Sequence, residues 1–155
     1  MHPKKVLIGI HQNVLTNKHD DYARQGLCAL TQVKDAKIAI IGGIQNKGLL
    51  EKLPVEAKVV NNSSLSSSKL LEKIAQEEFN SPLSGCGRVY VIGNNARQTR
   101  YARKLPNAVA IIVNDDEAKY KLLVKTASDN GNNGIIPAPS FFVAAIKLVC
   151  NYERA

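Results

Sequence analysis

Short apolar runs of strand length recur along this chain, each followed by a polar turn and then by apolar residues at helical spacing, and that alternation leaves few folds open. Lys5-Val6-Leu7-Ile8-Gly9-Ile10 is the first run. A polar loop follows, then Ala23, Leu27 and Leu30 at helical spacing behind Asp20 and Asp21 as caps. Lys37-Ile38-Ala39-Ile40-Ile41 repeats the pattern, breaks at Gly42-Gly43 and passes through Leu49, Leu50 and Leu53 to Pro54, which stops a short helix. Ala57-Lys58-Val59-Val60 gives a shorter strand. After it, Asn61 to Ser68 is a serine-rich loop that ends in a helix cap, with Leu70, Leu71, Ile74 and Ala75 lining one helix face.

A Pro- and Gly-bearing loop, Asn80 to Gly87, leads to the strand Arg88-Val89-Tyr90-Val91-Ile92, the turn Gly93-Asn94-Asn95 and a helix from Ala96 to Leu105 closed by Pro106. Ala108 to Val113 is the most continuously apolar run, as expected of a strand buried on both faces. A helix from about Asp116 to Ser128, a glycine- and asparagine-rich turn, a short strand at Ile135-Ile136 and a last helix capped by Ser140 complete the pattern.

Two-residue hairpin signals are nearly absent, so β-α-β crossovers connect the strands. The expected architecture is a three-layer α/β sandwich around a mainly parallel five- or six-stranded sheet, Rossmann-like or flavodoxin-like, with the strand order left open. At 155 residues, 45% apolar and 22% charged, one such domain over residues 1–155 is the natural size. No apolar run approaches the roughly 20 residues needed to cross a bilayer. Lys4-Lys5 before an apolar stretch has the look of a leader peptide. Gly9 and His11-Gln12-Asn13 interrupt it, so the segment reads as a strand and the protein as cytoplasmic.

In a parallel sheet ligands bind outside the carboxyl ends of the strands, so the residues just beyond each strand are the candidates. They share a chemistry: His11 and Asn13, Gly42 and Gly43, Gly93, Asn94 and Asn95, and Asn114 with Asp115. Amides offer donors and acceptors, and glycines admit a ligand close to the backbone. Turns and caps use the same residue types, so no single loop is decisive. No G-x-G-x-x-G or G-x-x-x-x-G-K-[ST] spacing occurs, so the residues support neither a Rossmann cofactor nor P-loop nucleotide hydrolysis.

The sharpest signal is Gly93 to Lys104. On a helix, Arg97, Arg100 and Lys104 share one face while Tyr101, Ala102 and Leu105 face the sheet. From Phe79 to Asn114 there is no acidic residue, and Arg88, Arg97, Arg100, Arg103 and Lys104 supply five positive charges of the net eight. A phosphate or carboxylate is the expected guest at this helix start, beside Arg97. The functional expectation is a small anionic ligand, nucleotide-like or a phosphorylated metabolite, at the carboxyl edge. Two alternatives compete: nucleic-acid binding through residues 88–104, and a homodimer through the nearly all-apolar helix of residues 140–152.

No catalytic set stands out. His11 is a candidate general base with Asp115 or Asp116 to orient it, and no metal-ligand spacing appears. Three scattered cysteines read as reduced thiols. Cys28 and Cys150 are expected as small buried hydrophobes inside helices, while Cys86 sits in a glycine loop two residues from Arg88, where a cation favours the thiolate.

Overall fold

A computed structural model of the protein describes residues 3–15, 20–42, 49, 52–60, 66–129 and 135–155. Six strands, β1 (Val6–His11), β2 (Ala36–Ile41), β3 (Lys58–Val60), β4 (Arg88–Gly93), β5 (Ala108–Val113) and β6 (Ile135–Ala138), form one all-parallel sheet in the order β3-β2-β1-β4-β5-β6. The helices are α1 (Asp20–Ala29), α2 (Ser67–Phe79), α3 (Ala96–Thr99), α4 (Glu117–Asp129) and α5 (Phe141–Arg154). The order departs from the 2-1-3-4-5 of the flavodoxin-like alternative and reverses between β1 and β4.

Alternation along the strands divides the core in two. Val6, Ile8 and Ile10 of β1 and Tyr90 and Ile92 of β4 face α1 and α5, whereas Leu7, Val89 and Val91 face Leu70, Leu71, Ile74 and Ala75 of α2. All six residues of β1 are buried, as expected for a central strand covered on both faces. Burying each of its large aliphatic side chains contributes on the order of 2 kcal/mol. Pro137 lies in β6, an edge strand, where its missing N–H is tolerated.

Helix boundaries follow local chemistry. Ser66 caps α2 by accepting from the Lys69 N–H, and Asn80 ends it in the left-handed conformation at φ 50. Asp116 caps α4 through the Lys119 N–H at 3.0 Å, and Ser140 caps α5 through the Val143 N–H at 3.2 Å. The capping serine of the serine-rich loop is thus Ser66; residues 61–65 lie outside the described residues, as do Leu50 and Glu51 of the expected helix from Leu49 to Leu53 and the turn at 130–134.

The apolar α5 owes its character to a cover on two sides. It packs on β5 and β6 and also along α1, where Gly26 lets the helices meet: a Cβ there would lie 2.5 Å from Phe141 Cδ2. Phe141, Ala144, Ala145, Leu148 and Tyr152 are buried, and Ile146, at 41% exposure, is the large apolar residue left outside. One face of the helix is covered within the chain, while Phe142, Val143 and Val149 stay half-buried.

The expectations for Cys28 and Cys150 reverse. Cys28 and Cys150 are exposed, because their positions turn away from the faces that bury Leu27 and Leu148. Cys86 is buried at 4% exposure, and burial pushes its thiol pKa up despite the nearby Lys5 charge. Its glycine loop is held in place by Asn107, whose side-chain amide donates to the Leu83 and Cys86 carbonyls.

Candidate functional site

All strands run parallel, so their carboxyl ends share one edge of the sheet. The register sets His11 beside Ile41, Ile10 beside Ile92, Gly93 beside Ile112 and Val113 beside Ala138. His11, Gly42, Gly93 and Asn114 therefore converge from four chain segments, as the sequence requires. Gly43 lies outside the described residues.

The turn after β4 is organised by reciprocal capping. Asn95 Oδ1 accepts from the Gln98 N–H at 2.9 Å, and Gln98 Oε1 reaches back to accept from the Asn94 N–H at 2.9 Å. Asn95 Nδ2 donates to Asn94 Oδ1, also at 2.9 Å. The α-helix that follows is a single turn. Thr99, fully buried at φ −110 and ψ 0, donates its hydroxyl to the Ala96 carbonyl at 3.3 Å, and residues Arg100–Lys104 continue as a 3₁₀ helix. A β-branched hydroxyl competing for a helix carbonyl accounts for the break.

The expected helix from Ala96 to Leu105 is corrected accordingly. A single turn builds little macrodipole, so an anion site resting on a long helix start loses its basis. Arg97, Arg100, Arg103 and Lys104 are all exposed, but not as one α-helical stripe. Ala102 is buried and Tyr101 and Leu105 pack against the α2-side core as expected. Burial raises the Tyr101 hydroxyl pKa above the usual phenol value.

Between β1 and β4 the edge is closed. His11 is 7% exposed, and burial lowers its pKa against an opposing hydrogen bond to the Gln98 backbone. His11 Nε2 and Gln12 Oε1 are buried, and among the described residues neither atom has a hydrogen-bond partner. The group that His11 faces is thus Gln98; β4 separates β1 from β5, after which Asp115 and Asp116 follow. Gly93 is tight for the same reason, since a Cβ there would lie 2.8 Å from Gln98 Oε1 and 2.9 Å from Gln98 Cβ. Gly42, at φ 96, sits against the Gln12 side chain, and its N–H donates to the Val60 carbonyl. Asn13 follows His11 in a short 3₁₀ turn and is half-buried.

Between β4 and β5 the edge is open. A groove of about 280 Å³ runs from the Asn94-Asn95-Ala96 turn to α4. Ile112, Leu122 and Leu123 supply its apolar lining, and Asn114, Lys119 and Thr126 its polar lining. Leu122 is 64% exposed although it belongs to a helix that covers the sheet. Asn114 Oδ1 accepts from the Asp116 N–H at 3.1 Å, which turns the chain from β5 into α4. Neither Asp115 nor Asp116 is among the lining residues, and Glu117 pairs with Lys121 at 3.1 Å.

A second cavity of about 220 Å³ lies at the opposite, amino edge, lined by Lys37, Lys58 and Glu78 among others. Lys58 pairs with Glu77 and Lys37 with Glu78, and Glu56 adds a further carboxylate to the lining.

The structure thus gathers Asn94, Asn95 and Asn114 around one groove and sets Arg97 and Arg100 on the adjoining exposed surface, whereas His11 lies in the closed crevice next to it. Sequence reasoning missed Ile112, Lys119, Leu122, Leu123 and Thr126 as lining residues. An exposed helical lysine and a leucine pair carry no signal of their own. The role of Gln98 was readable, since Asn95-x-x-Gln98 has capping-box spacing. No group of three or more His, Cys, Asp or Glu residues suited to a metal occurs among the described residues. No helix among them is long and apolar enough to cross a membrane. No protein-family model, curated protein or solved structure matches this chain.

Proposed function

We propose that the protein binds a small anionic metabolite at the carboxyl edge of its sheet, in the groove between the Gly93-Asn94-Asn95 turn and α4. The observation that carries this reading is the groove itself, where amides from two strand ends and the Lys119 ammonium meet an apolar lining. Arg97 and Arg100 lie exposed on the next turn and add positive field at its mouth. The strand order 3-2-1-4-5-6 is also that of the Rossmann-like dinucleotide-binding sheets, an analogy that favours a ligand at this edge.

Two-dimensional ¹H–¹⁵N NMR of the whole chain, titrated with nucleotides, sugar phosphates and small carboxylates at constant ionic strength, tests the proposal. Saturable shifts at the amides of Asn94, Asn95, Asn114 and Lys119 are expected from at least one anion. If every anion behaves like plain salt at these positions, the proposal fails.

The nucleic-acid reading draws on four exposed cations, Arg97, Arg100, Arg103 and Lys104. It loses its stacking platform, because the Tyr101 ring is packed into the core. Its signature would be affinity for RNA or DNA that falls steeply with salt.

A further inference from the structure

The amides that line the groove are not free to present either end. A backbone N–H cannot accept, so each amide oxygen that receives one is fixed in place. Asn95 turns its oxygen to the Gln98 N–H, and Asn114 turns its oxygen to the Asp116 N–H. With Asn95 fixed, its nitrogen is the donor to Asn94, so Asn94 also has its oxygen engaged. Three amides from two loops thus each commit an oxygen lone pair to holding the turns, which fixes which end is the nitrogen. Their remaining hydrogens, on Asn94 Nδ2, Asn95 Nδ2 and Asn114 Nδ2, meet no acceptor among the described residues. Lys119 adds one ammonium, and no carboxylate pairs with it among the described residues. Thr126 gives its hydroxyl proton to the Leu122 carbonyl at 2.9 Å.

The side-chain donors left at the groove therefore ask for an acceptor-rich head, and the lining offers one positive charge to balance it. Opposite them lie Ile112, Leu122 and Leu123, which gain from covering by an apolar body. Building on the proposed anion site, we infer that the ligand is a small apolar monocarboxylate: its carboxylate meets the Asn94 and Asn114 amide nitrogens and Lys119, and its hydrocarbon or aromatic body covers Leu122 and Leu123. A planar monoanion matches one ammonium and a fan of N–H donors. A nucleotide or sugar phosphate brings a polar body that the leucines do not reward.

The test titrates the full chain, followed by ¹H–¹⁵N NMR, with phenylacetate and hexanoate and with four contrasts: phenylacetamide, which keeps the body and loses the charge; acetate, which keeps the head and loses the body; inorganic phosphate; and adenosine monophosphate. Both apolar acids are expected to saturate the amides of Asn94, Asn114 and Lys119, with every contrast at least tenfold weaker. Asn114→Asp keeps the oxygen that accepts from Asp116 and replaces the outward donor with an acceptor. It is expected to weaken phenylacetate at least tenfold with the melting temperature unchanged. Should that variant unfold, Lys119→Gln serves in its place with the same expected loss.

Saturation by phosphate or adenosine monophosphate without the apolar acids overturns this inference and leaves the anion site standing. Silence from all of these anions overturns both. Equal binding of phenylacetate and phenylacetamide, or an unchanged affinity in the folded Asn114→Asp or Lys119→Gln chain, also overturns it.

Discussion

The carboxyl edge has two crevices built from the same kinds of residue. The one between β1 and β4 is filled by His11 and Gln98, and the one between β4 and β5 is left open under Asn94, Asn114 and Leu122. The reversal in strand order, where such sheets ordinarily hold their ligands, falls at the filled one. The difference lies in the element that follows each strand. After β4 the chain makes a single helical turn, and Gln98 folds back onto Gly93. After β5 the Asn114-Asp116 turn starts a thirteen-residue helix whose Leu122 remains exposed. Glycines and amides at a strand end mark a place where the chain turns; the next helix decides whether that place is a seal or a site.

Four experiments break or sharpen this contrast. The largest effect is expected from Gly93→Val, which pushes its side chain into Gln98 and Thr99 and should cost about 3 kcal/mol in urea denaturation. A loss under about 1 kcal/mol would mean that the seal is loosely packed. Asn95→Ala removes the acceptor for the Gln98 N–H and should cost about 1 kcal/mol, read as a shift in the urea midpoint. Leu122→Ser, on the open side, should change stability by less than about 0.5 kcal/mol, while still weakening any ligand that uses the groove.

The smallest effect is electrostatic. Because burial lowers the His11 pKa, the unfolded chain takes up a proton there before the folded chain does as pH falls below 6.5. His11 thus withdraws stability as pH drops through the unfolded value, down to its lowered folded value. In His11→Asn that part of the pH slope should vanish from melting temperatures measured between pH 7.5 and 5. An unchanged slope would show that His11 titrates normally in the fold.

Much of the fold was legible because it rests on periodicity. The buried faces of β1, β4 and β5, the Leu70-Leu71-Ile74-Ala75 stripe and the Ser140 cap all follow from spacing and from capping chemistry. What escaped was set by contacts across the chain. Nothing local in Thr99 announces that it will be fully buried and will bend the following segment, and nothing in Cys28, Cys86 or Cys150 announces which way each faces. A thiol titration of the native chain should accordingly count two reactive cysteines and gain the third, Cys86, only on unfolding. The candidate site was half legible: the amides follow from the strand ends, whereas the leucine floor and Lys119 come from a helix whose tilt no sequence rule sets.

The contact that Gly26 allows between α1 and Phe141 has a consequence for how the chain is made. The apolar side of the first crossover helix receives its cover only after roughly a hundred further residues have emerged from the ribosome. Until then β1 and α1 expose an apolar surface that later segments must shield. A bulky residue at position 26 would clash with Phe141 and weaken the cover that α1 finally receives.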